Sequence, residues 1–160
     1  KALLKEINLA KGFEEKATKM TDDSLPVSGI EKRLDQMVES PFWERVQEKC
    51  IGCRVCTYLC PTCHCFDIVD EALTSKGQRV RNWDSCLSSL YSQETSGHNP
   101  RPTNRERTRQ RIMHKFNYFP KNFDRIACVG CGRCIIYCPV NFDIRQTIKE
   151  IQNSTLQNEK

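Results

Sequence analysis

The chain has 160 residues, 25 Lys and Arg against 20 Asp and Glu, and eleven cysteines. That length allows one domain with arms, and an odd cysteine count without a secretory pattern argues against a disulfide scaffold. No apolar run is long enough to span a bilayer, so a reducing, anaerobic cytoplasm is the expected compartment.

Residues 1–28 read as an N-terminal arm in which Lys and Glu alternate with scattered apolar positions, broken by Thr21-Asp22-Asp23-Ser24 and Pro26. Residue 1 is Lys rather than Met, which leaves open that the arm is the remnant of a longer chain. From Ile30 the apolar positions Ile30, Leu34, Met37 and Val38 follow the stripe of an amphipathic helix facing a core or a subunit contact. Ser40-Pro41 restarts a helix in N-cap and N1 style, carrying Phe42, Trp43 and Val46 toward Cys50. The two aromatics are expected to pack, shielding the cysteines that follow from water.

Cys50 to Pro61 reads C-I-G-C-R-V-C-T-Y-L-C-P, and Cys128 to Pro139 repeats it 78 residues on as C-V-G-C-G-R-C-I-I-Y-C-P. The spacing C-x2-C-x2-C-x3-C-P is that of bacterial-type loops holding 4Fe-4S clusters, in which the fourth cysteine serves the other cluster. Cys50, Cys53 and Cys56 with Cys138 are thus expected to hold one cluster, and Cys128, Cys131 and Cys134 with Cys60 the other. Three cysteines on a tight loop wrap one side of a cube, while the fourth is expected to start a helix and point elsewhere. Gly52 and Gly130 let backbone amides approach the sulfurs, and Pro61 and Pro139 end each turn without leaving a donor unsatisfied. Zinc fits poorly, because zinc sites usually pair two C-x2-C hooks into one tetrahedral set. Two oxidised clusters, each of about −2 with its four thiolates, would bring the formal charge of +5 to roughly +1. The basic excess is largely internal compensation and does not by itself point to nucleic acid.

Between the repeats, the first copy carries Thr62-Cys63-His64-Cys65 before Phe66-Asp67-Ile68, two residues more than the Val140-Asn141 that precedes Phe142-Asp143-Ile144. Cys63, Cys65 and Cys86 exceed the needs of two clusters. They read either as small buried hydrophobes or as a third cluster with Asp67, Asp84, His64 or a partner chain as fourth ligand. Arg79 to Trp83 reads as a short extended piece, Asp84 as the N-cap of a helix through Cys86, Leu87, Leu90 and Tyr91 to Gly97. Thr103-x-x-Glu106 is a capping box opening a helix through Ile112, Met113 and Phe116. Arg107, Arg111 and Lys115 share one face of it, either solvated, docking an acidic partner, or balancing the clusters' charge. Asn141 or Asp143 caps a last helix with Ile144, Ile148 and Ile151 on one side, and residues 154–160 form a frayed tail.

The runs Cys60-Pro-Thr-Cys-His-Cys-Phe-Asp, Arg81-Asn-Trp-Asp-Ser-Cys86, Gly97-His-Asn-Pro-Arg-Pro-Thr103 and Arg111-Ile-Met-His-Lys-Phe116 resemble the ferredoxin-bearing subunit of anaerobic sulfite reductases. They are equally similar to the beta subunit of NiFe sulfhydrogenases and to electron-transfer subunits beside heterodisulfide-reductase-like modules, over roughly Trp43 to Ile151. The resemblance implies a mainly α fold: an α-helical ferredoxin-like dicluster domain over 29–153, with a helical insertion between the cysteine motifs. It also implies a relay of electrons between a flavin-containing and a catalytic subunit of an anaerobic redox complex. Members often carry a further N-terminal domain, where this chain has only the arm. A freely diffusing ferredoxin and a subunit with a site-differentiated catalytic third cluster are the alternatives. His64, His98 and His114 lack recognisable catalytic partners, and neither nucleic acid nor a membrane span is expected.

Overall fold

The computed structural model describes residues 3–20 and 25–154. Helix α1 (Leu4–Met20) opens with the Glu6 carboxylate accepting the Leu3 N–H at 2.9 Å, and its Leu4, Leu9 and Phe13 are exposed. The break expected at Thr21–Ser24 and nearly all of the 154–160 tail lie outside the described residues.

Helices α2 (Ile30–Gln36), α3 (Phe42–Glu48), α5 (Asn104–Met113) and α8 (Ile144–Asn153) supply most of the core. Its members are Ile30, Leu34, Met37, Phe42, Trp43, Val46, Ile112, Met113, Phe116, Phe142, Ile144, Ile148 and Ile151. The stripe beginning at Ile30 is therefore a core face. Trp43 is fully buried, and its indole N–H, which needs a partner once out of water, donates to the Met37 carbonyl at 2.6 Å. The Ser40 hydroxyl accepts the Phe42 N–H at 3.1 Å, as an entry cap should.

Thr103 and Glu106 form the reciprocal capping box of α5. A π-helical turn (His114–Tyr118) joins α5 to α6 (Phe119–Phe123), which ends at Asp124 in a left-handed conformation. Asp143 caps α8 by accepting the Arg145 N–H at 2.8 Å, whereas Asn141 takes a positive φ of 54° in the turn before it.

The mainly α expectation with a helical insertion is overturned between the repeats. Strands β1 (Phe66–Leu73) and β2 (Lys76–Trp83) form an antiparallel hairpin, paired from Phe66 with Trp83 to Leu73 with Lys76 across a two-residue turn. Cross-strand pairs on one face hold it: Arg79 grips the Asp70 carboxylate with two bonds of 2.7 and 2.9 Å, and the Arg81 guanidinium lies 4.1 Å from the Phe66 ring centre. The extended reading of residues 79–83 captures only the second strand.

The helix expected after Asp84 is also absent; residues 84–97 run through successive turns. The Asp84 carboxylate accepts the Ser85 N–H at 2.6 Å, and the Ser85 hydroxyl accepts the Leu87 N–H at 3.1 Å. Such short side-chain bonds compete with the helical ladder and win here. The fold is thus a helical body with a projecting β-hairpin.

Candidate metal centres

The two cysteine runs follow the same backbone course. Gly52 and Gly130 have φ of 68° and 67°, and two residues later Arg54 and Gly132 repeat the left-handed turn at 68° and 75°. Each turn feeds a short helix, α4 (Val55–Tyr58) or α7 (Arg133–Ile136), and these two helices pack against each other. The helix carries the third cysteine of its run and ends before the fourth, so Cys60 and Cys138 follow it rather than start it. The turns aim amides at sulfur: Gly52 N–H donates to the Cys50 Sγ at 3.4 Å, and Phe142 N–H to the Cys138 Sγ at 3.2 Å. Donors to a thiolate ligand stabilise added negative charge and raise a cluster's potential.

Cys50, Cys53 and Cys56 line one pocket together with Cys134 and Cys138 of the other run, closed by Leu87, Val140, Phe142 and Arg111. The fourth cysteine of the second repeat therefore stands at the first run. Reciprocally, Cys60 is close enough to Cys134 to raise its pKa, although burial is the larger cause. Among the described residues no three His, Cys, Asp or Glu side chains converge on a point that a single ion would occupy. A cluster is a different demand, since its thiolates bind at the corners of a cube around a soft metal–sulfur core. The donor set and its wrap from two loops fit that group. Cys53 and Cys131 are both exposed, and Ile51 and Val129, equivalent in the repeat, are exposed beside them.

The basic face of α5 turns inward. Arg111 is buried, its Nε has no hydrogen-bond partner, and its charge acts on Cys56, Cys134, Cys63 and Cys86. Burial opposes that charge, but the surrounding sulfurs outweigh it and raise the pKa. Lys115, also buried, donates to the Cys60 Sγ at 3.2 Å, the Thr62 hydroxyl at 2.9 Å and the Ala127 carbonyl at 3.0 Å. The π turn carries this lysine; such insertions frequently mark functional positions. Arg107 instead donates to the Arg101 and Pro102 carbonyls. Of the readings open to this face, compensation of sulfur charge is the one its packing matches. The regular spacing of the three cations leaves solvent and cluster equally open; burial decides between them.

The three spare cysteines also gather. Cys65 and Cys86 are hydrogen-bonded to each other, Tyr91 donates to Cys65, and Cys63 donates to Cys60. The bond from Cys63, with those from Thr62 and the charge of Lys115, pulls the Cys60 thiol down to about 3 against the effect of burial. Asp67 is exposed and bonds the Ile68 N–H, while His64 sits edge-on to His114 at 5.3 Å and places its Nδ1 3.4 Å from the Thr62 carbonyl. Asp84 N–H donates to the Cys65 carbonyl at 3.1 Å. The sequence marks Tyr91 only as a helix position, and nothing in its spacing signals the contact with Cys65.

Comparison with known proteins bears on the two cysteine runs as a pair. The family model described as a 4Fe-4S dicluster domain matches residues 49–142. The chain is 37% identical over 147 residues to sulfhydrogenase 2 subunit beta of Pyrococcus furiosus, covering 91% of this chain and 43% of that protein. It therefore spans less than half the length of that relative. No solved structure matches. Two complete thiol runs, the sulfur-facing cations and these matches place the chain in the 4Fe-4S dicluster domain family, as a protein that carries two 4Fe-4S clusters.

Proposed function

We propose that the chain is an electron-relay subunit that passes electrons between a flavin-containing and a catalytic subunit of an anaerobic redox complex. Cys50, Cys53, Cys56 and Cys138 hold one cluster, and Cys128, Cys131, Cys134 and Cys60 the other. Residues 29–153 are the working domain and 1–28 its arm. The observation that carries this reading is the single pocket shared by the first cysteine run and Cys138. Bound clusters supply one-electron transfer without proton chemistry. The chain's residues hold them in crossed fashion, lock α4 to α7, and offset their negative charge with Arg111 and Lys115. Exposed Cys53 with Ile51, and exposed Cys131 with Val129, offer two apolar-rimmed surfaces, one for entry and one for exit.

A subunit role is supported by the relative's own name, a subunit beta, and by exposed Leu4, Phe13, Leu73 and Trp83, more than a free carrier needs. Eight cysteines held as cluster thiolates suit a reducing cytoplasm. The affinity-tagged chain, expressed with its native neighbours under anaerobic conditions, is expected to co-purify with a flavoprotein and a catalytic subunit. Cys138→Ala and Cys60→Ala are each expected to lose a cluster of about four irons and to slow electron flow. A monomeric holoprotein that keeps both clusters in either variant would overturn the relay and the crossed ligation.

A further inference from the structure

The hairpin has a consequence at its base. Its outermost pair, Phe66 with Trp83, and the bond from Asp84 N–H to the Cys65 carbonyl draw together two chain ends that carry Cys65 and Cys86. Cys86 is buried, and the segment around it is fastened to the first cluster loop: the fully buried Ser85 shares a 2.7 Å hydroxyl bond with buried Thr57 of α4. Cys63 is hydrogen-bonded to Cys60 and near enough for its charge to act on Cys86. Arg111, which already faces Cys56 and Cys134 of the two runs, reaches this group as well. This side chain is 4% exposed, its Nε has no partner, and two of the four sulfurs its charge meets are Cys63 and Cys86. A buried guanidinium is costly beside neutral thiols and suits thiolates, the form that binds metal.

We propose that Cys63, Cys65 and Cys86 form a third iron–sulfur site, held by three thiolates of this chain and completed by the carboxylate of Asp84. Three soft donors select an iron–sulfur cluster over hard cations. Asp84 is chosen over the other non-sulfur candidates because it is half-buried between Cys65, whose carbonyl accepts its N–H, and Cys86, whereas Asp67 and His64 are exposed. This site adds to the two-cluster reading and does not depend on the proposed partners. An oxygen ligand leaves one iron labile and distinguishes this cluster spectroscopically from its all-cysteine neighbours.

Native mass spectrometry and iron and sulfide analysis of the wild-type holo chain, purified or reconstituted anaerobically, test the proposal directly. About twelve irons with matching sulfide, and the mass of three clusters, are expected. Cys65→Ser with Cys86→Ser should lower the content to about eight. Asp84→Cys should keep the count while changing the EPR spectrum of one cluster, and Asp84→Ala should yield a three-iron signal on oxidation. About eight irons in the wild type would overturn the third site while leaving the dicluster reading intact, and fewer than eight would overturn both. A wild-type chain with two clusters that is two hydrogens lighter would identify Cys65 and Cys86 as a disulfide pair instead, and an unchanged EPR spectrum in both Asp84 variants would remove Asp84 from the site.

Discussion

Replacing Lys115 by Met tests the crossed ligation through electrostatics. The lysine Nζ stands 3.2 Å from the Cys60 Sγ, is buried, and is held at its charge by the neighbouring sulfurs Cys63 and Cys60 against the opposing effect of burial. An added electron spreads over a cluster beyond that sulfur, so the working separation is roughly 6 Å, and at an effective dielectric of about 20 a unit charge there is worth about 3 kcal/mol. With about 1.4 kcal/mol and about 59 mV each corresponding to a tenfold change, the cluster that uses Cys60 should fall in potential by on the order of 100 mV. Potentiometric EPR titration of the anaerobic holoprotein reads both clusters, and the same titration in Cys131→Ser identifies the signal of the second run. The shift belongs to that cluster if Cys60 crosses over. A fall confined to the cluster of Cys50, Cys53 and Cys56 would show that Cys60 ligates with its own run. No shift in either would remove the lysine from the electrostatics altogether.

Other outcomes follow from local physics. Trp43→Ala empties a fully buried site and removes the indole bond to the Met37 carbonyl, which keeps the Ser40 N–H at 3.1 Å, so the holoprotein should lose about 3–5 kcal/mol in denaturant unfolding. Arg54 occupies the left-handed position that the second repeat gives to Gly132; Arg54→Gly should stabilise by less than about 1 kcal/mol, the left-handed strain relieved exceeding the added chain entropy. Gly132→Ala should cost about 1 kcal/mol, and mostly as strain, since a Cβ there would meet only Ile136 at an ordinary 3.7 Å. Burial, then His64 and Lys115, hold the His114 pKa below its ordinary 6.5. The unfolded chain therefore takes up this proton first, so the contribution is present above about pH 6.5 and is lost as pH falls through the lower folded value. Thermal melts of His114→Phe should show a flatter decline than wild type between about pH 7.5 and about pH 5.5, and parallel curves would contradict the assignment.

The duplicated cysteine spacing was legible without coordinates because cluster geometry demands fixed intervals on a tight loop, and those intervals survive as a pattern of letters. Caps were legible for a similar reason: Thr103 with Glu106, and Asp143, act within three residues of themselves. The hairpin was not, because β1 and β2 are exposed on both faces and carry no clean apolar alternation; what fixes them is pairing across the turn. Asp84 as a helix cap failed because an Asp that bonds the next amide reads the same in sequence as one that bonds two or three residues on.

By itself, then, the sequence determined the metal chemistry, the duplication and the core stripes of α2 and α8, all of which rest on short-range periodicity. Only the tertiary structure decided which way Arg111 and Lys115 point and that Cys65 meets Cys86. Those are contacts between residues far apart in the chain, and packing, rather than spacing, sets the burial that turns a basic helix face into counter-charge for sulfur.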